Sequence, residues 1–282
     1  MALLTGSTLR VLSPRDLDEA LALLREDPVV NVFAASRICA TRLVSSRYGG
    51  EVWGWYQRGR LTSLCYAGAN LVPVAAPPAA VEAYADRATR LGRRCSSIVG
   101  PSEPVAQLWE LLEPTWGPAR EVRPNQPVLV CDTPPRVAPD PAVRRVELPE
   151  VPTLLPASIA MFTEEVGISP LLGDGGALYR ARVAELVSAG HAFARFDGDR
   201  VVFKAEIGSV AHGVCQVQGV WVRPELRGKG LGAPGMAAVV ELARRDIAPA
   251  VSLYVNDYNA PARAVYDRVG FRQVSTFTSV LF

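Results

Sequence analysis

The residues best suited to chemistry lie in one stretch, Val217 to Gly235, which reads VQGVWVRPELRGKGLGAPG. An extended apolar run leads into Arg223-Pro224-Glu225. The turn Arg227-Gly228-Lys229-Gly230-Leu231-Gly232 follows, and a helical pattern starts at once. Glycines let a backbone come close to a ligand, and the unpaired amides that open a helix point outward with the positive end of its dipole. Such a turn suits a pyrophosphate. Each amide or guanidinium bond to a charged oxygen contributes about 1.5 to 3 kcal/mol, so several together would hold a nucleotide-like ligand. Two other readings compete. Gly230, Gly232 and Gly235 also satisfy G-x-G-x-x-G, with Asp257 about twenty residues on, the outline of a dinucleotide site. That motif normally opens a domain, whereas fewer than fifty residues follow Gly235 here. A glycine turn of purely structural use is the other. The ATP-type P-loop is excluded, because G-x-x-x-x-G-K-[ST] occurs nowhere in the chain.

Hydrophobic periodicity shows which elements must position this turn. Val143 to Glu147 reads as a strand, Pro152 to Val166 and Leu178 to Ala189 as helices, and His191 to Phe196 with Arg200 to Ile207 as a hairpin about Asp197-Gly198-Asp199. Val214 to Val222 is a further strand. Gly232 begins a helix with Met236, Val239, Val240 and Ala243 at helical spacing and Pro234 in its first turn. Val251 to Val255 follows as a buried-type strand, Asn259 caps a last helix ending at Gly270, and Gln273 to Phe282 is extended. The order β-α-α-β-β-β-α-β-α-β predicts a mixed α/β sheet flanked by helices.

The first half reads almost the same way. Leu9 to Leu12 is strand-like, Asp16 to Leu24 and Asn31 to Leu43 are helical, and Glu51 to Tyr56 with Arg60 to Ala67 form a hairpin. Val81 to Arg93 is a helix, Cys95 to Val99 a strand, Val105 to Leu112 a helix and Pro127 to Cys131 a strand. Prolines crowd the region from Pro124 to Pro156 and interrupt helices and interior strands, which places a linker near residues 133 to 142. Two domains of one architecture are expected, residues 1–135 and 142–282.

Arg227-x-x-Gly230-x-Gly232, after a strand ending Val-Trp-Val-Arg-Pro-Glu, resembles the acetyl-CoA signature [QR]-x-x-G-x-[GA] of the GCN5-related N-acetyltransferases, the GNAT family. Asn259-Ala-Pro-Ala-Arg-Ala-Val-Tyr266-Asp-Arg-Val-Gly270-Phe271 is similar to that family's second motif, N-x-x-A-x-x-x-Y-x-x-x-G-F. The resemblance implies acetyl-CoA as co-substrate in a V-shaped opening between the fourth and fifth strands, Val214 to Val222 and Val251 to Val255. Backbone groups of Val220, Trp221 and Val222 would pair with the pantetheine arm. Amides from Arg227, Gly228, Lys229, Gly230, Leu231 and Gly232 would hold the pyrophosphate, and Asn259 would contact the cofactor arm. Tyr266 matches the family's general acid.

Many relatives carry a carboxylate on the fifth strand, where this chain has Tyr254 and Val255. Glu206, on the third strand among alternating apolar residues, is the expected base, since a carboxylate on a sheet is either solvent-facing or purposeful. Glu164 and Glu165 stand where the family's substrate loop begins and are the expected partners of a cationic amine. His212, beside Gly213 in a turn, is expected to be structural or exposed. The place corresponding to the glycine turn in the first half, after Arg60 to Ala67, reads Gly68-Ala-Asn-Leu-Val-Pro-Val-Ala-Ala-Pro-Pro. It holds no Arg-x-x-Gly-x-Gly, and Trp109 stands where the tyrosine would be. A degenerate GNAT-like copy that does not bind the cofactor in the usual way is expected.

The resemblance therefore implies acetyl transfer from acetyl-CoA to an amine acceptor in a ternary complex, the acceptor being a small molecule, a peptide or a protein. A noncatalytic acyl-CoA-binding regulator is the alternative, and a dehydrogenase the third. Composition narrows the field. Thirty Lys and Arg against twenty-eight Asp and Glu give a net charge of +2 with no basic clustering, so no nucleic-acid partner is expected. No run approaches the ~18 apolar residues of a spanning helix, and no secretory signal is legible. A cytoplasmic protein without a membrane partner is expected, with a homodimer as one possible assembly. Cys39, Cys65, Cys95, Cys131 and Cys215 form no CxxC pair, and with two histidines they predict buried free thiols and no metal site.

Overall fold

The computed structural model describes residues 6–44, 49–172 and 175–282. The chain divides into two compact units, and neither is one continuous segment. The first comprises Met1–Val128, Tyr254–Tyr258 and Gln273–Phe282, the second Leu129–Leu253 and Asn259–Arg272. In chain order the first half forms β1 (Ser7–Val11), α1 (Leu17–Leu24), α2 (Val32–Thr41), β2 (Glu51–Gln57), β3 (Arg60–Ala67), β4 (Asn70–Val74), α3 (Pro78–Leu91), β5 (Ser97–Pro101), α4 (Ser102–Trp116) and β6 (Glu121–Cys131). The second half forms β7 (Val143–Arg145), α5 (Val151–Val166), α6 (Ala177–Ser188), β8 (Ala192–Asp197), β9 (Arg200–Ala211), β10 (Val214–Val222), α7 (Gly232–Asp246), β11 (Ala250–Tyr254), α8 (Ala260–Val269) and β12 (Arg272–Leu281). Both halves follow β-α-α-β-β-β-α-β-α-β.

That identity of order depends on β4, which periodicity alone reads as loop. Pro73 hides it. β4 pairs antiparallel with β3 up to Leu64↔Val74, but with β5 it pairs in parallel only at Asn70↔Ser97 and Leu71↔Ile98. Pro73 lies beyond that short ladder, where a missing donor costs no bond to β5.

In the first unit the strands lie in the order β1-β2-β3-β4-β5-β12-β6. In the second, β11, β10, β9, β8 and β7 follow the end of β6. β7 to β10 are antiparallel neighbours, and β10–β11 is parallel. β9 runs on past the expected end at Ile207 to Ala211. It is joined to β10 by His212 and Gly213, whose φ values of 49° and 76° are those of a tight two-residue hairpin turn.

The last strand departs most from expectation. Instead of completing the second unit, Gln273–Phe282 belongs to the first. β12 pairs antiparallel with β5 from Phe277↔Pro101 to Leu281↔Ser97, and Val280 is fully buried in a core with Trp53, Tyr84, Ile98, Leu108 and Trp109. Chain proximity suggests which sheet a terminal strand joins; packing of its apolar face decides it.

The second unit's core gathers Leu154, Met161, Val183, Val187, Ala194, Val201 and Trp221, where α5 and α6 pack on the sheet. α7 comes close to the sheet because Gly235 lacks a Cβ, which would stand 2.8 Å from the Phe203 ring. Four cysteines are buried free thiols, but Cys39 is exposed, since α2 buries Val32, Ala34, Ala35 and Ile38 instead. Among the described residues no helix is long and apolar enough to cross a membrane, and no group of three His, Cys, Asp or Glu is placed to hold a metal ion.

Four of the five tryptophans, Trp53, Trp55, Trp109 and Trp116, lie in the first unit. Truncation after Arg272 is therefore expected to red-shift tryptophan emission. Val280→Ala should destabilise by about 2 kcal/mol, read as a lowered urea midpoint of the same signal. An unchanged spectrum and midpoint would contradict the placement of β12.

Candidate active site

The second unit holds a strand pair that opens. β10 pairs with β11 only from Val214↔Ala250 to Gln216↔Ser252, although β10 continues to Val222. Along its other edge β10 stays with β9 but is bulged. Gln218 faces Glu206 and Trp221 faces Lys204, so Gly219 and Val220 stand opposite Ala205 alone. Gly219 takes φ +59°, a conformation that costs glycine least.

The turn that follows is anchored at its entry. Arg223 donates its backbone N–H to Val202 O and its Nε–H to Val201 O, both at 3.0 Å. A short 3-10 turn at Pro224–Leu226 follows, then Gly228 and Gly230 at φ +75° and +83°, and α7 starts at Gly232. The amides of Gly228, Gly230 and Gly232 donate to no acceptor among the described residues, and Arg227 to Gly230 are exposed. The glycines divide the work. A Cβ at Gly228 or Gly230 would meet nothing, so backbone conformation selects them. At Gly232 a Cβ would stand 3.1 Å from Val265 Cγ2, so close packing of α7 on α8 selects it.

Tyr266 follows Val265 on α8. Tyr266 is 6% exposed and edge-on to Phe271 at 5.7 Å. Burial, helped by the charge of Glu165, holds its hydroxyl well above the usual tyrosine range. Burial, with Glu206 and Glu165, does the same to Tyr179, whose hydroxyl donates to Ser158 O at 2.8 Å. Asn259 caps α8: its Oδ1 accepts from Ala262 N at 3.2 Å. That oxygen is engaged, which leaves the side-chain amide to meet a ligand.

Two carboxylates have partners that sequence reasoning did not foresee. Glu164, expected to hold a cationic substrate, forms an ion pair with Arg227 at 2.6 Å and accepts from Trp221 Nε1 at 3.2 Å. Arg227 also donates to Val222 O at 3.0 Å. Glu206, expected as a free base, is 4% exposed and paired with fully buried Lys204 at 2.5 Å. The missed lysine had a signal, because residues 204 and 206 of an alternating strand share a face.

In the first unit, β4 and β5 part in the same way. The chain after β4 passes Ala75 at φ +47° and enters α3 through Pro77 and Pro78. This, rather than the stretch directly after β3, is the counterpart of the glycine turn. Two prolines remove two donors from the helix entrance. Trp109, at the tyrosine's counterpart, is buried against Phe282 at 5.5 Å.

Residues 174–271 match the acetyltransferase (GNAT) family model. The chain carries a GNAT domain. Residues 50–154 match a domain of unknown function, DUF4081. A Drosophila protein is similar in structure with a TM-score of 0.65 at 16% identity, covering 98% of this chain and 99% of that one. A GCN5-related N-acetyltransferase from Sphaerobacter thermophilus gives 0.56 at 16%, covering 97% and 94%. A tandem GNAT protein from the clavulanic acid biosynthesis pathway gives 0.53 at 15%, covering 98% of each chain. No curated protein sequence matches the chain. The GNAT fold removes the dinucleotide reading, which needs a doubly wound parallel sheet, because β7 to β10 are antiparallel.

The pair between Arg227 and Glu164 is about half exposed, a class that contributes roughly 0 to 1 kcal/mol. Glu164→Gln is expected to free Arg227 and tighten binding of inorganic pyrophosphate severalfold in calorimetry. Unchanged or weaker binding would show that Arg227 does not serve the turn.

Proposed function

We propose that the GNAT domain transfers an acetyl group from acetyl-CoA to an amine, with the site built at the opening of β10 from β11. The observation that carries this reading is the set of undonated amides at Gly228, Gly230 and Gly232, at the entrance of α7 and directly after the released edge of β10. The residues fit the ligand: a concave row of exposed donors suits a diphosphate, and an unpaired strand edge suits an extended amide-bearing arm.

Acetyl-CoA bound there would supply a thioester, whose acyl carbon an amine attacks as the C–S bond breaks. Amides of the turn, with Arg227 released from Glu164 and Lys229 beside it, would neutralise the diphosphate. Backbone groups of Val220, Trp221 and Val222 would align the arm. Tyr266 would donate its phenolic proton to the departing sulfur, its raised pKa keeping that proton in place across neutral pH, and the proton that the attacking nitrogen gives up as the amide forms would restore the phenol. The acceptor must attack as a free amine, so its ammonium proton leaves before the step. Glu206 enters this scheme with Lys204 as a paired group, not as the proton acceptor. Protonating it would strand a buried ammonium without its counter-ion. Glu165 is exposed next to Glu164 at the end of α5 and would face a cationic acceptor there.

Calorimetry with CoA against NAD, followed by thiol release from acetyl-CoA over a library of small amines, peptides and a lysine-bearing protein, tests the reading. CoA is expected to bind, and Gly230→Val and Gly232→Val to weaken it at least tenfold. Tyr266→Phe should lower kcat by about 100- to 10,000-fold while CoA affinity holds. The rate should rise with pH without a descending limb near pH 10, where an unperturbed tyrosine would lose its proton. Binding of CoA without thiol release from any acceptor would favour a regulator that senses acyl-CoA.

A further inference from the structure

We infer that Lys204 is a positioning residue, which clamps the bulge of β10 from β9 and so fixes the backbone edge Val220–Val222 that faces the opening. The inference rests on the acyl-transfer reading above.

Lys204 is fully buried, and its ammonium donates to Glu206 Oε1 at 2.5 Å and to Gly219 O at 3.3 Å. An ammonium out of contact with water is kept only where its protons are matched, and both partners here lie around one bulge. The strand alternation of β9 sets Lys204 and Glu206 on the same face, on either side of Ala205, and that single residue opposes Gly219 and Val220. A Cβ at Gly219 would stand 3.3 Å from both Lys204 Nζ and Glu206 Oε2 and 2.9 Å from Met161 Cε. The ion pair and Met161 therefore crowd a position whose φ of +59° already favours glycine, and the carbonyl of that glycine accepts from the ammonium. Pair and bulge are built around one another.

The consequence reaches the ligand edge. A bulge left to itself could relax into a regular ladder with β9, which would shift the register of Val220, Trp221 and Val222 by one residue and exchange the groups they present. With Gly219 O held by Lys204, that shift is blocked. Glu206 serves by holding Lys204 in place and neutral in sum.

The test replaces the pair by apolar residues of similar size, Lys204→Met with Glu206→Leu, because removing one partner alone leaves an unmatched buried charge. Folding is followed by thermal melting, CoA binding by calorimetry, and turnover by thiol release. The double variant is expected to melt within a few degrees of the wild type and to bind CoA at least tenfold more weakly. Its KM for acetyl-CoA should rise by a similar factor and kcat should change less than threefold. Lys204→Arg, which keeps a donor and the charge, should recover most of the affinity. Wild-type affinity in the folded double variant would overturn the inference, and so would failure of the double variant to fold, which would assign the pair to the stability of the whole unit. A fall in kcat with KM unchanged would overturn it too, by returning Glu206 to proton transfer. A wild-type protein that binds no CoA would instead sink the acyl-transfer reading.

Discussion

Backbone donors and acceptors have to be satisfied, and a parallel strand pair that stops after three residues leaves a row of them open. The rest of the second unit is arranged around that fact. β10 parts from β11 after Gln216, and from Val217 on its edge has left the β11 ladder, with Val222 O accepting from Arg227 instead. The turn that follows adds further unpaired amides where α7 begins. An edge and a turn of this kind would be a liability in a sheet interior. Here both sit beside one another on consecutive segments, so a single extended, phosphate-bearing molecule could satisfy both.

Two ion pairs near this edge differ in the way their surroundings dictate. Lys204–Glu206 is dry, and breaking one partner of such a pair costs about 3 to 5 kcal/mol because the other charge is left unmatched. Arg227–Glu164 is about half exposed and screened, with roughly 0 to 1 kcal/mol to lose. The first can hold geometry, and the second can be exchanged for a better anion. Glu164 also accepts from Trp221, which follows the bulge, so the exchangeable pair touches the same strand that the fixed pair braces. Physical strength thus sorts the carboxylates in the proposed scheme: Glu206 would belong to the scaffold and Glu164 to a contact that a ligand could replace.

Much of this was legible in the sequence because the informative signals are local. The hairpin at Asp197-Gly198-Asp199, the helix opening at Gly232 and the caps of α8 at Asn259 and Gly270 all follow from turn and capping chemistry within a few residues. What escaped was non-local or masked. β4 carries a proline that reads as loop until the neighbouring strand is seen to leave it. β12 has an apolar pattern that fits any sheet, and only packing with Ile98 and Tyr84 places it in the first unit. Pairing between Glu164 and Arg227 spans sixty-three residues and has no sequence signature. Lys204 was within reach, since its spacing from Glu206 puts both on one face, but a lysine in a strand is usually solvated.

The two halves also show how little separates a scaffold from a site. They share element order, and each opens a parallel strand pair in the same place, at β4–β5 and at β10–β11. In the second half the helix after the opening is entered through glycines that keep their N–H groups and adopt positive φ. In the first it is entered through Pro77 and Pro78, which have none to give. Trp109 then fills with ring and core contacts the position where Tyr266 keeps a hydroxyl. If the second unit transfers acyl groups as proposed, loss of two donors and one hydroxyl would remove the anion site and the acid while α3 and α4 keep their packing on the sheet. What the first half gains instead is a core that draws β12 from the far end of the chain, through Val280 packed on Ile98, Tyr84 and Trp109.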